Sequence, residues 1–417
     1  MSDSLHIKSV SVKGLFNQFD HHIDFNQDER ITILHGINGV GKTTLLRMIN
    51  NLFNFRIYNF NKIPFSSFLV CLSNENEIEI NRESCEGLIN VYINKERVDL
   101  YNFDVDSFIS RLPWISTSDD GNSFFDNQMH ESVSLDDIVD RYDDNSSRKR
   151  DSENSALIKK LGVIPVQFTE TSRLVQAITK RRQIATSTVN IYASELQQRI
   201  KSTMADYAKK TQELEQTFPF RLLKVPKEFS DEELKKHIKT LQDKRQELRD
   251  IGLLPEIDLA PMDTQSIDDL ESRHAEVMTL YVKDSQEKLE VLEYLSTKIK
   301  LLLGIINYKF QGKKLHVDEK KGLIILGKEG EIDLTLLSSG EQHEIVMFYD
   351  LIFKVEPNTL IMIDEPELSL HVTWQNKFID ELKQIVEQSK FDVLIATHSA
   401  TIVGNNSHLM QRLNATE

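Results

Sequence analysis

The chain has 417 residues and a formal net charge of −15, long enough for two or three domains with sizeable cores. An acid excess spread evenly repels nucleic acid, so a DNA-binding role needs Lys and Arg gathered on one face. The opening Met1-Ser2-Asp3-Ser4-Leu5 lacks a basic segment followed by an apolar one, no apolar run approaches the roughly 20 residues of a bilayer span, and Cys71 and Cys85 lack metal-site spacing, so a cytoplasmic protein without membrane contact, disulfide framework or zinc site is expected.

The run Arg30-Ile31-Thr32-Ile33-Leu34-His35 predicts a strand. It leads into Gly36-Ile37-Asn38-Gly39-Val40-Gly41-Lys42-Thr43-Thr44, after which Leu45, Leu46, Met48 and Ile49 recur at helical spacing. Strand, glycine-rich loop and helix in that order make a phosphate cradle. Gly36, Gly39 and Gly41 let the backbone wrap a β-phosphate at a helix N-terminus, where N–H groups and the positive dipole end favour anions. Lys42 is placed to bridge the β- and γ-phosphates and Thr43 to ligate Mg²⁺, so ATP or GTP binding is expected. No Asn-Lys-x-Asp guanine reader accompanies the loop.

From Leu69 to Leu100 apolar and polar residues alternate, as in Ile78-Glu79-Ile80 and Val91-Tyr92-Ile93, which predicts an antiparallel meander. Phe103 to Ser155 is acidic and rich in Ser and Asn, with Phe124-Phe125 and Pro113-Trp114 scattered without a period. Loops and short helices are expected there, either a tolerated surface insertion or a docking segment for a partner protein. The dense basic triplets are Arg148-Lys149-Arg150 and Lys180-Arg181-Arg182. Each reads more simply as a solvated face than as a phosphate track.

Between Ser172 and Ile306 the period becomes helical. Val189, Tyr192, Leu196, Ile200, Tyr207, Thr211, Leu214 and Phe218 form one stripe, and Ile267, Leu270, Val277, Tyr281, Leu292, Ile299 and Leu302 another. Phe218-Pro219-Phe220 and Leu254-Pro255 break the run, with a shorter stripe at Leu234, Ile238, Leu241 and Leu248 between them. Two long helices of about forty residues are expected, a projection of some tens of ångströms at ~1.5 Å per residue.

Leu337-Ser338-Ser339-Gly340-Glu341-Gln342 carries the pattern of a helix N-cap with a capping box. Thr359 to Ile363 is almost wholly apolar, as in a strand buried on both faces of a parallel sheet, and Asp364 and Glu365 follow at its C-terminal end. Asp364 is placed to hold Mg²⁺ through water and Glu365 to polarise an attacking water. The plainer alternative is an acidic strand end capping a turn before Pro366. A third strand, Phe391 to Thr397, ends at His398-Ser399. His398 reads either as a sensor of the γ-phosphate or as a structural hydrogen-bonding residue.

These residues resemble the ABC-type ATPase heads of the SMC, Rad50, RecF and OLD group, over roughly residues 5 to 60 and 320 to 405. Leu337 to Gln342 matches their signature motif, Asp364-Glu365-Pro366 their Walker B and catalytic glutamate, Glu367-Leu368-Ser369-Leu370-His371 their D-loop, and His398 their switch histidine. The resemblance implies an α/β P-loop head: a mixed sheet, a flanking antiparallel β-meander and an inserted short coiled-coil arm. Residues 1–171 and 307–417 are then the two parts of the head and 172–306 the arm, which holds no cysteine for a zinc hook. It further implies ATP with Mg²⁺, hydrolysis to ADP and phosphate, and a head-to-head homodimer or higher oligomer. In such a dimer Ser338, Ser339, Gly340, Glu341 and the D-loop Ser369 of one copy complete the phosphate site of the other.

The group also carries a Q-loop glutamine at the end of the strand leading into the arm. Here Gln167 falls inside that strand, so Glu170 is the candidate Mg²⁺ contact; the alternative is a loop carboxylate paired with Arg173. Nineteen residues follow His398, without an acidic cluster of the Toprim kind. By resemblance the chain is most similar to stand-alone antiphage defence ATPases of the PARIS AriA or PtuA type. That implies sensing of a phage product and control of a separately encoded effector, a Toprim nuclease. The alternative is a RecF- or SMC-like DNA repair or recombination ATPase, which the net charge disfavours; the inserted arm argues against a transporter ATPase.

Overall fold

The computed structural model describes residues 5–82, 89–98, 108–117, 124–129, 131–133, 138, 142, 164–170, 188–224, 229–255, 272–368 and 370–413. Its contacts divide the chain into two units, one of residues 1–174, 356–368 and 375–417, the other of residues 175–355 and 369–374. Residues 307–355, grouped with the head in the sequence, thus pack within the unit that holds the long helices.

The first unit opens with β1 (Ile7–Leu15) and β2 (Phe19–Asp24), an antiparallel pair, then β3 (Ile31–His35) and helix α1 (Lys42–Phe53). The expected meander follows as β4 (Ser67–Leu72), β5 (Glu77–Arg82), β6 (Ile89–Ile93) and β7 (Glu96–Val98), pairing with β1 to give an antiparallel sheet of order β2-β1-β4-β5-β6-β7. Phe68, Val70 and Leu72 alternate with half-buried neighbours, so the period of two in the sequence buries one face.

In the 103–155 stretch the described residues include the turns and short helical pieces expected, at 108–114, 127–129, 138 and 142, and also strands that were not. The strands are β8 (Ile115–Thr117), β9 (Phe124–Asp126) and β10 (Glu131–Val133), a small antiparallel sheet. Phe124 points into a cluster with Tyr58, Leu112, Ile115, Val133 and Ile138, while Phe125 points out. Strands of three residues offer one or two inward positions each, too few to show a period. Both basic triplets and Arg173 lie outside the described residues. β11 (Val166–Glu170) then closes this part of the unit.

The second unit contains α2 (Thr188–Leu222), α3 (Asp231–Asp250) and α4 (Ser272–Lys309). Val189, Leu196, Ile200 and Leu214 on α2, and Leu292, Ile299 and Leu302 on α4, are buried as their stripes require. Val277 is exposed, and Ile267 and Leu270 lie outside the described residues. Lys210 pairs with Glu287 at 2.9 Å and Arg221 with Asp284, fixing α2 against α4. Lys244 pairs with Glu293 and Glu247 with Lys300, while Arg245 donates to Tyr281 and Ser285, holding α3 against α4.

Pro219 does not stop α2, which runs on to Leu222. The proline removes an N–H only in the last turn, where Arg221 Nη2 donates to the Leu214 carbonyl at 2.7 Å and ties the helix end to Asp284. β12 (Lys313–Asp318), β13 (Gly322–Gly327) and β14 (Gly330–Ile332) form an antiparallel sheet against α2. The contact needs a glycine: at Gly322, with φ +77°, a Cβ would lie 1.8 Å from the Ala193 carbonyl oxygen. Helix α5 (Ser339–Tyr349) follows and passes into one π-helical turn at Asp350–Lys354.

The chain re-enters the first unit for β15 (Leu360–Asp364), β16 (Asp392–Thr397) and β17 (Met410–Arg412). These join β3 and β11 in a parallel sheet of order β11-β15-β16-β3-β17. β15 is buried throughout, as its apolar run predicts. The fold is the expected α/β head with an antiparallel meander and inserted helices, though parallel and antiparallel pairing are segregated into separate sheets. One core joins them: Leu45, Met48 and Ile49 of α1 pack with Val12 and Val70 from one sheet and Met362 and Leu394 from the other. Among the described residues no helix is long and apolar enough to cross a membrane.

Candidate active site

Parallel pairing brings the C-terminal ends of β3, β16 and β15 to one edge. Thr397 stands opposite His35 and Asp364 opposite Ala396, so the phosphate loop, His398 and the Asp364-Glu365 pair all leave the sheet together. This is the edge where open α/β sheets place ligands. Glu170 ends β11 in register with Asp364, which brings its backbone to the same edge; its side chain lies outside the described residues. Gln167 is exposed within β11.

The loop has the backbone its glycines foretell. Gly41 is the N-cap of α1 at φ +93°, and a Cβ there would sit 2.5 Å from Leu15 Cδ2. Gly39, at φ +89°, has open space where its Cβ would be, and Asn38 beside it is exposed. Val40 is buried, and its carbonyl accepts a hydrogen bond from His21 Nε2 at 2.8 Å. Nothing in the sequence marks that histidine, because β2 meets the loop only in the folded sheet. Thr44 is half-buried on α1.

Lys42 folds back over the loop, its Nζ donating to the Gly36 carbonyl at 2.7 Å and the Ile37 carbonyl at 3.1 Å. Burial lowers the ammonium pKa below the ordinary lysine value, and the charges of Glu365, Asp364 and Glu367 pull against that shift. Thr43 Oγ1 donates to Asp364 Oδ2 at 2.8 Å. A hydroxyl and a carboxylate oxygen are the hard donors that Mg²⁺ takes alongside nucleotide phosphates, so these residues fit a nucleotide with its metal.

Glu365 sits at φ +47°, a left-handed conformation uncommon outside glycine, held by its N–H donating to Ala396 O at 2.8 Å. Its Oε1 lies 3.8 Å from His398 Nδ1. Glu367 is closer to that ring, with Oε1 at 3.1 Å from Nδ1, and both its carboxylate oxygens lie 2.8 Å from Thr397 Oγ1. The sequence places Glu367 only within the D-loop; its contacts with β16 arise from strand pairing.

The signature residues belong to the other unit. Ser338 caps α5 with the expected reciprocal box: Glu341 N–H donates to Ser338 Oγ at 3.4 Å, and Ser338 N–H to Glu341 Oε2 at 3.0 Å. Lys313 Nζ pairs with Glu341 Oε2 at 2.8 Å. Burial raises the Glu341 pKa, but Lys313 and the Ser338 hydrogen bonds outweigh it and leave the carboxyl below its ordinary value. Ser338, Ser339 and Gly340 are exposed at the helix N-terminus. Ser369 lies outside the described residues.

No curated protein matches the chain. Among solved structures it is similar to the Smc head domain with an extended coiled coil from Pyrococcus furiosus, bound there to the C-terminal domain of ScpA. The identity is 13% over 99% of this chain and 94% of that one, with a TM-score of 0.42. It is also similar to the SMC head domain from Thermotoga maritima, at 13% identity over 99% of this chain and 96% of that one, with a TM-score of 0.37. The AAA ATPase domain family profile matches residues 6–403, a span that holds the phosphate loop, Asp364, Glu365 and His398. The protein belongs to the AAA ATPase domain family.

Proposed function

We propose that this protein binds and hydrolyses ATP as an ABC-type ATPase, in homodimers or higher oligomers whose heads enclose the nucleotides, and that it regulates a separately encoded effector in antiphage defence. The ATPase reading is carried by one observation: Lys42, the Thr43–Asp364 hydrogen bond, Glu365 and His398 meet at a single edge of a parallel sheet.

Lys42 exchanges the Gly36 and Ile37 carbonyls for the β- and γ-phosphate oxygens, so its ammonium is held in the loop before substrate arrives. Thr43 and Asp364, with Glu170 as a third candidate, would hold Mg²⁺, which would supply charge neutralisation on the phosphates. Glu365 orients and polarises the attacking water, and His398 meets the γ-phosphate. Ser338, Ser339, Gly340 and Glu341, at an exposed helix N-terminus, and Ser369 of the D-loop complete the nucleotide site of a second copy.

Steady-state ATPase assays of wild type, Lys42→Ala and Glu365→Gln test the enzyme. Wild type turns over ATP, Lys42→Ala does not and Glu365→Gln is severely slowed; a wild-type rate in either rejects the assignment. The effector role is supported by the family resemblance and the acidic net charge, with a Toprim-type nuclease as the proposed effector. Affinity capture from the intact operon tests it, and recovery of no partner protein counts against it. Stimulation by duplex DNA that falls steeply with salt would favour the repair reading instead.

A further inference from the structure

Glu367 is set apart from the other carboxylates of this edge by what it touches. Its side chain is 7% exposed, and Thr397 Oγ1, the His398 backbone N–H at 3.1 Å and His398 Nδ1 at 3.1 Å all converge on it. Thr397 Oγ1 in turn accepts from Ser399 N–H at 2.9 Å, so this carboxylate ties together the whole turn that presents the histidine. An ionised carboxylate only accepts hydrogen bonds, so a hydrogen bond from the ring to Glu367 requires the proton on Nδ1. With the proton there, Nε2 is the ring atom open to accept from a ligand, on a side chain 43% exposed. Glu365 Oε1, at 3.8 Å from Nδ1, is beyond hydrogen-bond reach of the ring.

We propose that Glu367 is the positioning residue of His398: it fixes the Nδ1-protonated ring and turns Nε2 toward the nucleotide, a task separate from the one proposed for Glu365. Two carboxylates two residues apart thereby divide the work of orienting a base and polarising a nucleophile. The division follows from the backbone, because the left-handed turn at Glu365 sends the chain into a 3₁₀ turn at Pro366–Leu368 that lays Glu367 against β16. The inference rests on the reading of His398 as a residue that meets the γ-phosphate.

The test compares kcat, KM and ATP affinity of the full chain in wild type, Glu367→Gln, His398→Ala and the double variant. Glu367→Gln lowers kcat about tenfold to a hundredfold, the usual loss when the partner of an oriented histidine is removed, with KM little changed. The double variant is no slower than His398→Ala alone, since an orienting residue has nothing to orient once the ring is gone. In long-range nitrogen-15 spectra of histidine-labelled protein, the His398 signals of wild type report the Nδ1-protonated ring, and Glu367→Gln shifts them.

Wild-type kcat in Glu367→Gln beside an impaired His398→Ala overturns this inference alone, as do losses that multiply in the double variant. An unimpaired His398→Ala overturns the reading beneath it and this inference with it. If Glu367→Gln does not fold, Thr397→Val removes one anchor of the carboxylate and keeps its charge. There kcat falls while KM holds, and an unchanged kcat overturns the proposal.

Discussion

Thr43 donates its hydroxyl to Asp364 at 2.8 Å across a separation of 321 residues. The bond joins the first turn of α1 to the end of β15 and pairs the two residues that would hold a divalent ion. Thr43→Val and Asp364→Asn should therefore each raise the Mg²⁺ concentration needed for half-maximal ATPase by about tenfold or more. Titration of activity against free Mg²⁺ measures this, with circular dichroism to confirm that the fold survives.

Lys42→Ala should abolish ATP binding in equilibrium dialysis, because the ammonium that neutralises the phosphates is lost. Glu365→Gln should bind ATP normally, turn over at least about a hundredfold more slowly, and accumulate as a dimer in light scattering. Only the water-polarising group is removed in that variant.

Ser339→Arg should impair turnover while sparing ATP binding to a single head, since the exposed N-terminus of α5 is proposed to act on a second copy's nucleotide. Equal mixing of Lys42→Ala and Ser339→Arg proteins should then recover about a quarter of wild-type activity, because half the random dimers hold one intact site of two. No recovery after subunit exchange would place the signature outside the site.

Lys309 and Glu344 form an ion pair at 2.5 Å with both side chains 1% exposed, joining α4 to α5. Burial pushes the Glu344 pKa up and Lys309 pulls it down without cancelling the shift. Lys309→Met alone should cost about 3–5 kcal/mol by stranding a buried carboxylate, whereas Lys309→Met with Glu344→Leu should be nearly neutral. Urea denaturation of both variants separates the cases.

Glu341 gives the signature helix a pH dependence. Its folded pKa lies below the ordinary 4.5, so between those two values the unfolded chain binds more protons. The stability it adds is complete above pH 4.5 and is lost as pH falls through the folded pKa. Glu341→Gln should lower stability at pH 7 by about 1 kcal/mol, the usual value of a cap, and the gap should close as acid protonates the wild-type residue. Melting curves from pH 3 to pH 7 follow it.

Contiguous chemistry is what the sequence by itself determined. The loop from Gly36 to Thr44, the buried run of β15 with its terminal carboxylates, the alternation of β4 to β6 and the stripes of α2 and α4 each depend on neighbours within a few residues. Their period or spacing therefore survives in one dimension. The capping box of Ser338 and Glu341 is legible for the same reason. Tertiary structure alone decided the rest, because the energies involved are between residues far apart in the chain. Pro219 is a stop signal that the Arg221–Asp284 pair overrides, and β8 to β10 are too short to carry a period of their own. Residues 307–355 join the helical unit through contacts that no local pattern encodes. His21 reaches Val40, and Glu367 reaches Thr397 and His398, only because sheet pairing carries their strands and turns together. A side chain's partner is set by register across a sheet, and register is a property of the packed whole.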